Sequence, residues 1–270
     1  MISVILTINN RTPEVCRAVA ASFRLDGNKP DEFVVVLDRP DQETKRGALE
    51  AYTRLSCPVK FVEIEGKPGW LGPARAWNRG FDAASGDLFF CISSEVVQDA
   101  GNVLKAEKIC EGGNTVVFGA CHNSEKTQEV QGFEPGLIAD SSFPRPLGFI
   151  ACMPAKNVRE IGGFDEEFMG TEEAPNYWYD DDCFYLNLWK TGIEFVFDDS
   201  IHGIHLHHER PVLATPEGQA GIARNRALMI KKHGKDHVWP DVERIESTDS
   251  QGRKVWGHVL GKGYRMSDFE

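Results

Sequence analysis

The run Phe33-Val34-Val35-Val36-Leu37 sets five apolar residues side by side, three of them valine. A strand turns alternate residues to opposite faces, so an unbroken apolar strand has to be covered on both sides, as in a parallel sheet held between helices. The flanking sequence supplies those helices. Ser3–Ile8 reads as a first strand and Asn9-Asn10-Arg11 as the loop after it. Thr12-Pro13-Glu14 then gives an N-cap, a first-turn proline and an early acid, opening a helix to about Phe23. The valine strand ends at Asp38, and Asp41 caps a second helix that reaches about Leu55. Val59–Ile64 is a third strand, Gly66 to Gly72 a turn-rich loop, Pro73–Ala84 a third helix, and Leu88–Ile92 a fourth strand running into Ser93-Ser94-Glu95. This alternation predicts an α/β fold. Ligands of such sheets collect outside the carboxyl ends of the strands, where Asn10, Asp38 and Glu95 fall.

The remainder continues the pattern less regularly. A helix over about Ala100–Glu111 and a strand at Thr115–Ala120 precede a polar segment, His122 to Pro146, which has the character of a functional loop. Leu147–Met153 is strand-like, Ala155–Ile161 a short helix ended by Gly162-Gly163, and Pro216–Gly234 helical. The polar sequence after Pro240 predicts a peripheral extension, which gives one domain over 1–235 and an extension over 236–270.

A formal charge of −11, from 30 basic and 41 acidic residues, argues against broad electrostatic binding to nucleic acid or anionic membrane. No apolar run approaches the roughly 18 residues of a transmembrane segment, and the first ten residues lack the features of a signal peptide. Seven scattered cysteines without a CxxC pair read as reduced thiols, which predicts a cytoplasmic protein.

Chemistry concentrates between Gly162 and His208: a Gly-Gly break, an acidic aromatic loop, Asp180-Asp181-Asp182 opening a helix, and a strand carrying four of the eight histidines. His205 and His207 share one face of an extended segment and Ile204 and Leu206 the other. With the aliphatic pair in the core, both imidazoles face the cleft, and His202 and His208 lie on the opposite side. Carboxylates and imidazoles so placed suggest a catalytic base beside a metal.

Four stretches, in order, resemble the inverting family 2 glycosyltransferases of the GT-A fold. SVILTINNR is similar to the family's first strand and nucleotide loop, and VVVLDRPDQET to its second strand ending in an aspartate. GPARAWNRGFDAASGD is similar to its G-x-x-x-A-R-N-x-G segment, with Trp77 where arginine is usual. GGFDEEF followed by DDDCFYLNLWKTG resembles the acceptor loop and the helix carrying the base. The resemblance covers about residues 2–208 and implies a Rossmann-like, mixed and mostly parallel sheet, with a nucleotide-binding half over 1–98 and an acceptor half over 99–210. It departs from the family where an Asp-x-Asp metal motif is expected, because Ser93, Ser94 and Glu95 stand there.

The resemblance implies a nucleotide-diphosphate sugar as donor, a UDP-sugar by family habit, and a divalent cation, Mn²⁺ or Mg²⁺, on the diphosphate. Glu95 and either His205 or His207 would be its ligands. Asp181 would be the general base, with Asp180 and Asp182 orienting the acceptor or raising its pKa by like-charge proximity. The three acids would also complement a helix N-terminus. Asn10, Arg11 and Asp38 are candidates for base and ribose, Arg75 and Asn78 for the diphosphate or sugar, and Asp165, Trp178 and Tyr179 for the acceptor. That acceptor is a glycan, protein, lipid-linked or small molecule. Two rival functions fit the same residues: a sugar- or protein-binding module that has lost the metal motif, and a metal-independent or nucleotidyl-transferring enzyme. Asp181 and the histidines weigh against the first, and the loop Asn9-Asn10-Arg11, which is neither glycine-rich nor strongly basic, against the second.

Overall fold

The computed structural model describes residues 1–67, 71–124, 137–139, 146–208, 215–234, 245–248 and 254–257. Trp70, most of the segment from His122 to Pro146, and most of the sequence after Pro240 lie outside them. The strands are β1 (Ile2–Ile8), β2 (Glu32–Asp38), β3 (Val59–Ile64), β4 (Leu88–Ser93), β5 (Val96–Gln98), β6 (Thr115–Asn123), β7 (Leu137–Ala139), β8 (Ile150–Pro154), β9 (Glu194–His205), β10 (Ile245–Thr248) and β11 (Lys254–Gly257). The helices are α1 (Pro13–Ser22), α2 (Gln42–Tyr52), α3 (Ala74–Ala83), α4 (Asn102–Cys110), α5 (Ala155–Glu160), α6 (Asp180–Trp189) and α7 (Pro216–His233), with a 3-10 turn at Glu166–Met169.

Nine strands form one sheet in the order β3-β2-β1-β4-β8-β6-β9-β5, with β7 paired to β6. The first four are parallel, β8 is antiparallel to both its neighbours, and β6 and β9 are parallel again. The mixed, mostly parallel sheet is therefore present. The strands β10 and β11 make a separate antiparallel pair.

The valine strand shows why both faces need cover. Phe33, Val35 and Leu37 join a core with α1, α2 and α4, while Val34 and Val36 join a second core with α3, α5 and α6. Helix starts follow the sequence signals: the hydroxyl of Thr12 accepts from Val15 N, Asp41 from Thr44 N and Thr215 from Gly218 N. Trp77 is core, stacked on Phe81 and Phe164. Phe164, next to the Gly-Gly break, lies parallel to Phe184 with centroids 4.0 Å apart, which ties the loop after that break to α6.

Two differences from the sequence reading bear on the site. Strand β8 begins at Ile150 rather than Leu147, because Gly148 and Phe149 form a turn beside the end of β4; there Ser93 N donates to Phe149 O. In β9, Asp198 pairs with Gly119 and His202 with the next residue, Ala120, so 199–201 bulge out and reset the alternation. As a result Ile204 is 41% exposed and His205 only 4%. The aliphatic residue points out and the imidazole in.

Helix α3 crosses β1 at Gly80, where an added Cβ would lie 2.5 Å from Ile5 Cγ2 and 3.3 Å from Val36 Cγ2. Both neighbours are β-branched and fully buried, so they have little room to yield. Gly80→Ala is expected to destabilise the protein by about 1–3 kcal/mol in urea unfolding, although alanine is intrinsically the better helix former by about 1 kcal/mol.

Candidate active site

Strands β1 and β4 are adjacent and parallel, so their carboxyl-end loops meet. Glu95, in the turn after β4, is 6% exposed. Its Oε2 accepts from Arg11 Nε at 3.0 Å, Arg11 Nη2 at 2.9 Å and Ser94 Oγ at 2.9 Å. Its Oε1 lies 3.3 Å from His205 Nε2 and 3.5 Å from His208 Nε2. The register Val96 to His205 between β5 and β9, with Leu206 N donating to Glu95 O at 2.8 Å, brings the end of β9 to this turn. Burial alone would raise the Glu95 carboxyl. The Arg11 guanidinium and the hydrogen bonds from His205 and His208 outweigh it and hold the group well below the usual carboxylate range.

The ligand atoms of Glu95, His205 and His208 lie within 4.8 Å of one another, the one such cluster among the described residues. One carboxylate oxygen and two imidazole nitrogens suit Mn²⁺ better than Mg²⁺, which takes oxygen ligands almost exclusively. The residues therefore fit a divalent cation. Arg11 already balances the Glu95 charge, so protein negative charge contributes little, and a diphosphate would have to supply most of it. The second imidazole of the cluster belongs to His208, not His207. Regular strand ends at His205, and the two-residue alternation that pairs His205 with His207 ends with it. His207 Nδ1 is buried without a hydrogen-bond partner. A cluster of histidines just beyond a strand end was visible in the sequence; which of them turned inward was not.

The aspartates lie in the first turn of α6. Asp180 is buried, with Oδ2 lacking a hydrogen-bond partner, and burial is the main cause that pushes its carboxyl up to about 6. Asp181 is driven well above the usual range by burial and then by the charges of Asp180 and Asp182. A Cβ on Gly148 would lie 3.8 Å from Asp181 Oδ1 and 3.4 Å from the Tyr185 hydroxyl, while Ser93 Oγ donates to Gly148 O at 3.4 Å. Gly148 thus bridges the end of β4 to the start of α6.

The other candidates divide between two loops. Asn10 is exposed and its carbonyl accepts from Arg11 Nη1 at 2.7 Å. Asp38 is buried and held by Arg39, its own neighbour, at 2.8 and 3.1 Å, with Arg39 at φ 47. Asn9 Nδ2 donates to Asp38 O at 2.7 Å, joining the ends of β1 and β2. Arg75 and Asn78, on α3, bond to the loop at 164–166. Arg75 Nε donates to Glu166 Oε2 at 3.2 Å, and Asn78 exchanges hydrogen bonds with Phe164 N at 2.8 Å and Phe164 O at 2.9 Å. That exchange explains Gly163, at φ 77, where a Cβ would collide with Asn78 Oδ1. Asp165 caps the 3-10 turn and accepts from Lys232 at 2.6 Å. Trp178 is 53% exposed, and Tyr179 packs against Phe168, Cys183, Leu186 and Met229.

A carboxyl whose folded pKa lies above its unfolded value binds its proton more tightly in the folded state. Its stabilising contribution is present in acid and is lost as pH rises from 3.8 to about 6 for Asp180. Asp180→Asn is accordingly expected to raise stability by about 1–3 kcal/mol at pH 7.5 and to leave it nearly unchanged at pH 4, measured as denaturant midpoints at the two pH values.

Residues 3–130 match the model of glycosyl transferase family 2. No curated protein sequence is a significant match to the chain. Among solved structures it is similar to GalNAc-T7 with UDP, GalNAc and Mn²⁺, with a TM-score of 0.60 and 14% identity over 84% of this chain and 47% of that one. The mannosyltransferase PcManGT from Pyrobaculum calidifontis, in complex with GDP-Man and Mn²⁺, gives a TM-score of 0.60 and 16% identity over 85% of this chain and 64% of that one. TarS from S. aureus gives 0.58 and 12% over 85% and 39%. The chain spans less than two thirds of the length of each. The likeness to these structures shows that the chain has their GT-A fold, and residues 3–130 are similar to glycosyl transferase family 2.

Proposed function

We propose that the protein is an inverting glycosyltransferase that moves a sugar from a UDP-sugar to an acceptor hydroxyl, with Asp181 as general base and Mn²⁺ at Glu95, His205 and His208. The observation that carries this reading is the Glu95, His205 and His208 cluster just beyond the end of β4, with Gly148 linking that strand end to Asp181; Arg11 holds Glu95 ionised, and burial makes Asp181 more basic. The nucleotide-bound neighbours support the donor class: GalNAc-T7 was solved with UDP and Mn²⁺ and the mannosyltransferase with GDP-Man and Mn²⁺.

In this reading residues 1–98 hold the donor at Asn10, Arg11 and Asp38, and 99–210 carry the acceptor loop and base. A bound cation supplies charge neutralisation on the departing diphosphate. Asp181 takes the proton of the acceptor hydroxyl as its oxygen bonds to the anomeric carbon and the carbon–diphosphate bond breaks on the opposite face. A carboxylate pushed upward in pKa is a stronger acceptor of that proton, and with glycine at 148 no side chain stands between that loop and Asp181 Oδ1. Trp178 offers an exposed ring face for a sugar, and Arg75 and Asn78 act through the loop they hold. A glycan acceptor suits that face; protein, lipid-linked and small-molecule acceptors present hydroxyls of the same chemistry. No helix among the described residues is long and apolar enough to cross a membrane, and the seven free cysteines suit the cytoplasm. The Arg11 fork on Glu95 favours one second reading, a metal-independent transferase in which Arg11 itself meets the diphosphate.

Three measurements test the proposal. UDP-sugars are expected to raise the Tm in the presence of Mn²⁺ and much less without it; equal stabilisation in EDTA selects the metal-independent reading, and no stabilisation by any nucleotide sugar refutes both. Asp181→Asn should lower turnover by about 10²–10⁴-fold while donor affinity changes little, and an active variant moves the base elsewhere. His208→Ala should weaken the Mn²⁺-dependent stabilisation by about 10-fold in apparent affinity, whereas His207→Ala should not.

A further inference from the structure

Trp178 and Tyr179 have φ of 64 and 65, two consecutive aromatic residues in the left-handed region. Side chains of this size rarely adopt it, and such a turn persists only where its surroundings over-determine it. The turn leads directly into Asp180 and Asp181, and the Tyr179 carbonyl starts α6 by accepting from Cys183 N at 2.9 Å. Whatever holds the turn therefore also sets where the first turn of α6 begins.

The holding element is α7, which has no part in the reading above. Asn225 is 0% exposed, and its Nδ2 donates to Phe168 O at 2.8 Å, Tyr177 O at 3.2 Å and Trp178 O at 2.7 Å. Its Oδ1 is buried without a hydrogen-bond partner, so only the donor end of the amide is used. On the same face Arg224 donates to Asn176 Oδ1 at 2.7 Å and Pro175 O at 2.8 Å, and Lys232 reaches Asp165. A Cβ at Gly221 would lie 2.6 Å from Pro175 O, so this face of α7 lies directly on the loop backbone.

We infer that Asn225 is a positioning residue of the acceptor side: by donating to the carbonyls that flank Trp178 it holds the strained turn, and with it the exposed Trp178 ring and the Asp181 carboxylate, for a sugar acceptor. The catalytic part of this inference rests on the roles proposed above for Asp181 and Trp178. An amide NH₂ can meet the three carbonyls with one of its two protons shared between two of them, and a carboxylate of the same shape cannot, because it has no proton to donate. Size and hydrogen bonding can therefore be separated by substitution.

The test compares the full-length chain with Asn225→Ala, Asn225→Asp and Arg224→Ala. Arg224 is exposed, so the last variant folds even where the first two do not. Hydrogen exchange at the amides of 177–182 is expected to accelerate by about 10-fold or more in the Asn225 variants, and by less in Arg224→Ala, with β1 and β2 amides unchanged. UDP release from UDP-glucose with methyl β-glucoside as acceptor probe should fall by about 10–100-fold in kcat/KM for the acceptor, with the donor KM within about twofold. Exchange at 177–182 that stays at the wild-type rate in the folded variants overturns the holding role. Faster exchange with unaltered acceptor kinetics, or equal losses for donor and acceptor, overturns the positioning role. A wild-type chain that binds no nucleotide sugar refutes the transferase reading and the catalytic role together, and the exchange rates still decide whether Asn225 holds the turn.

Discussion

A carboxylate buried inside a protein is costly unless it is both paired and hydrogen-bonded, and removing one partner of such a pair costs about 3–5 kcal/mol. Glu95 is in that position, and the groups that neutralise it come from far apart in sequence: Arg11 from the loop after β1, Ser94 from its own turn, and His205 and His208 from the end of β9. Arg11 can reach it only if β1 and β4 are neighbours pointing the same way. His205 can reach it only if β9 passes β5 antiparallel in the register Val96 to His205. The sheet order thus brings Arg11, His205 and His208 to Glu95, an arrangement that no local segment could assemble.

The same burial has the opposite consequence at the start of α6. Asp180 is buried as Glu95 is and Asp181 half-buried beside it, and the charges that act most strongly on them are those of neighbouring aspartates. Desolvation then wins and the proton is held more tightly, whereas at Glu95 the Arg11 charge wins. One carboxylate is suited to remain charged and the other to collect a proton. The difference comes from neighbours rather than from residue type, since all are ordinary acids at the ends of regular elements.

Much of the scaffold was legible in the sequence because its signals are local. The valine strand, the caps Thr12 and Asp41, and the proline opening α1 each act within one turn or strand, and the elements lie where those residues put them. The position of Glu95 at a strand end was legible for the same reason. The facing of the histidines was not: it depends on the bulge at 199–201, set by the pairing of β9 with Gly119 and Ala120, some eighty residues earlier. Nor was the attachment of Arg75 and Asn78 to Phe164 and Glu166 legible, because helical spacing shows which side chains share a face and not what lies opposite. Asn225 gave no signal at all. A polar residue in a polar helix becomes notable only when three carbonyls are found around it.

In the proposed reading the donor and acceptor ends of the site are built by different means. The donor end is a consequence of sheet geometry: parallel strands that stop together leave Asn10, Asp38 and Glu95 at one edge, and the family 2 match covers this part of the chain and ends at residue 130. The acceptor end is a loop whose backbone is forced into an unfavourable turn and held by side chains of a later helix, Asn225, Arg224 and Lys232. Changes in those side chains, or in the loop they hold, leave the strand pairings untouched, because none of them contributes to the sheet. The fold can accordingly keep the proposed donor edge while the loop at 163–179 and its supporting helix vary, and a strained turn allows a shift in a few hydrogen bonds to move both the exposed Trp178 ring and Asp181, the proposed base.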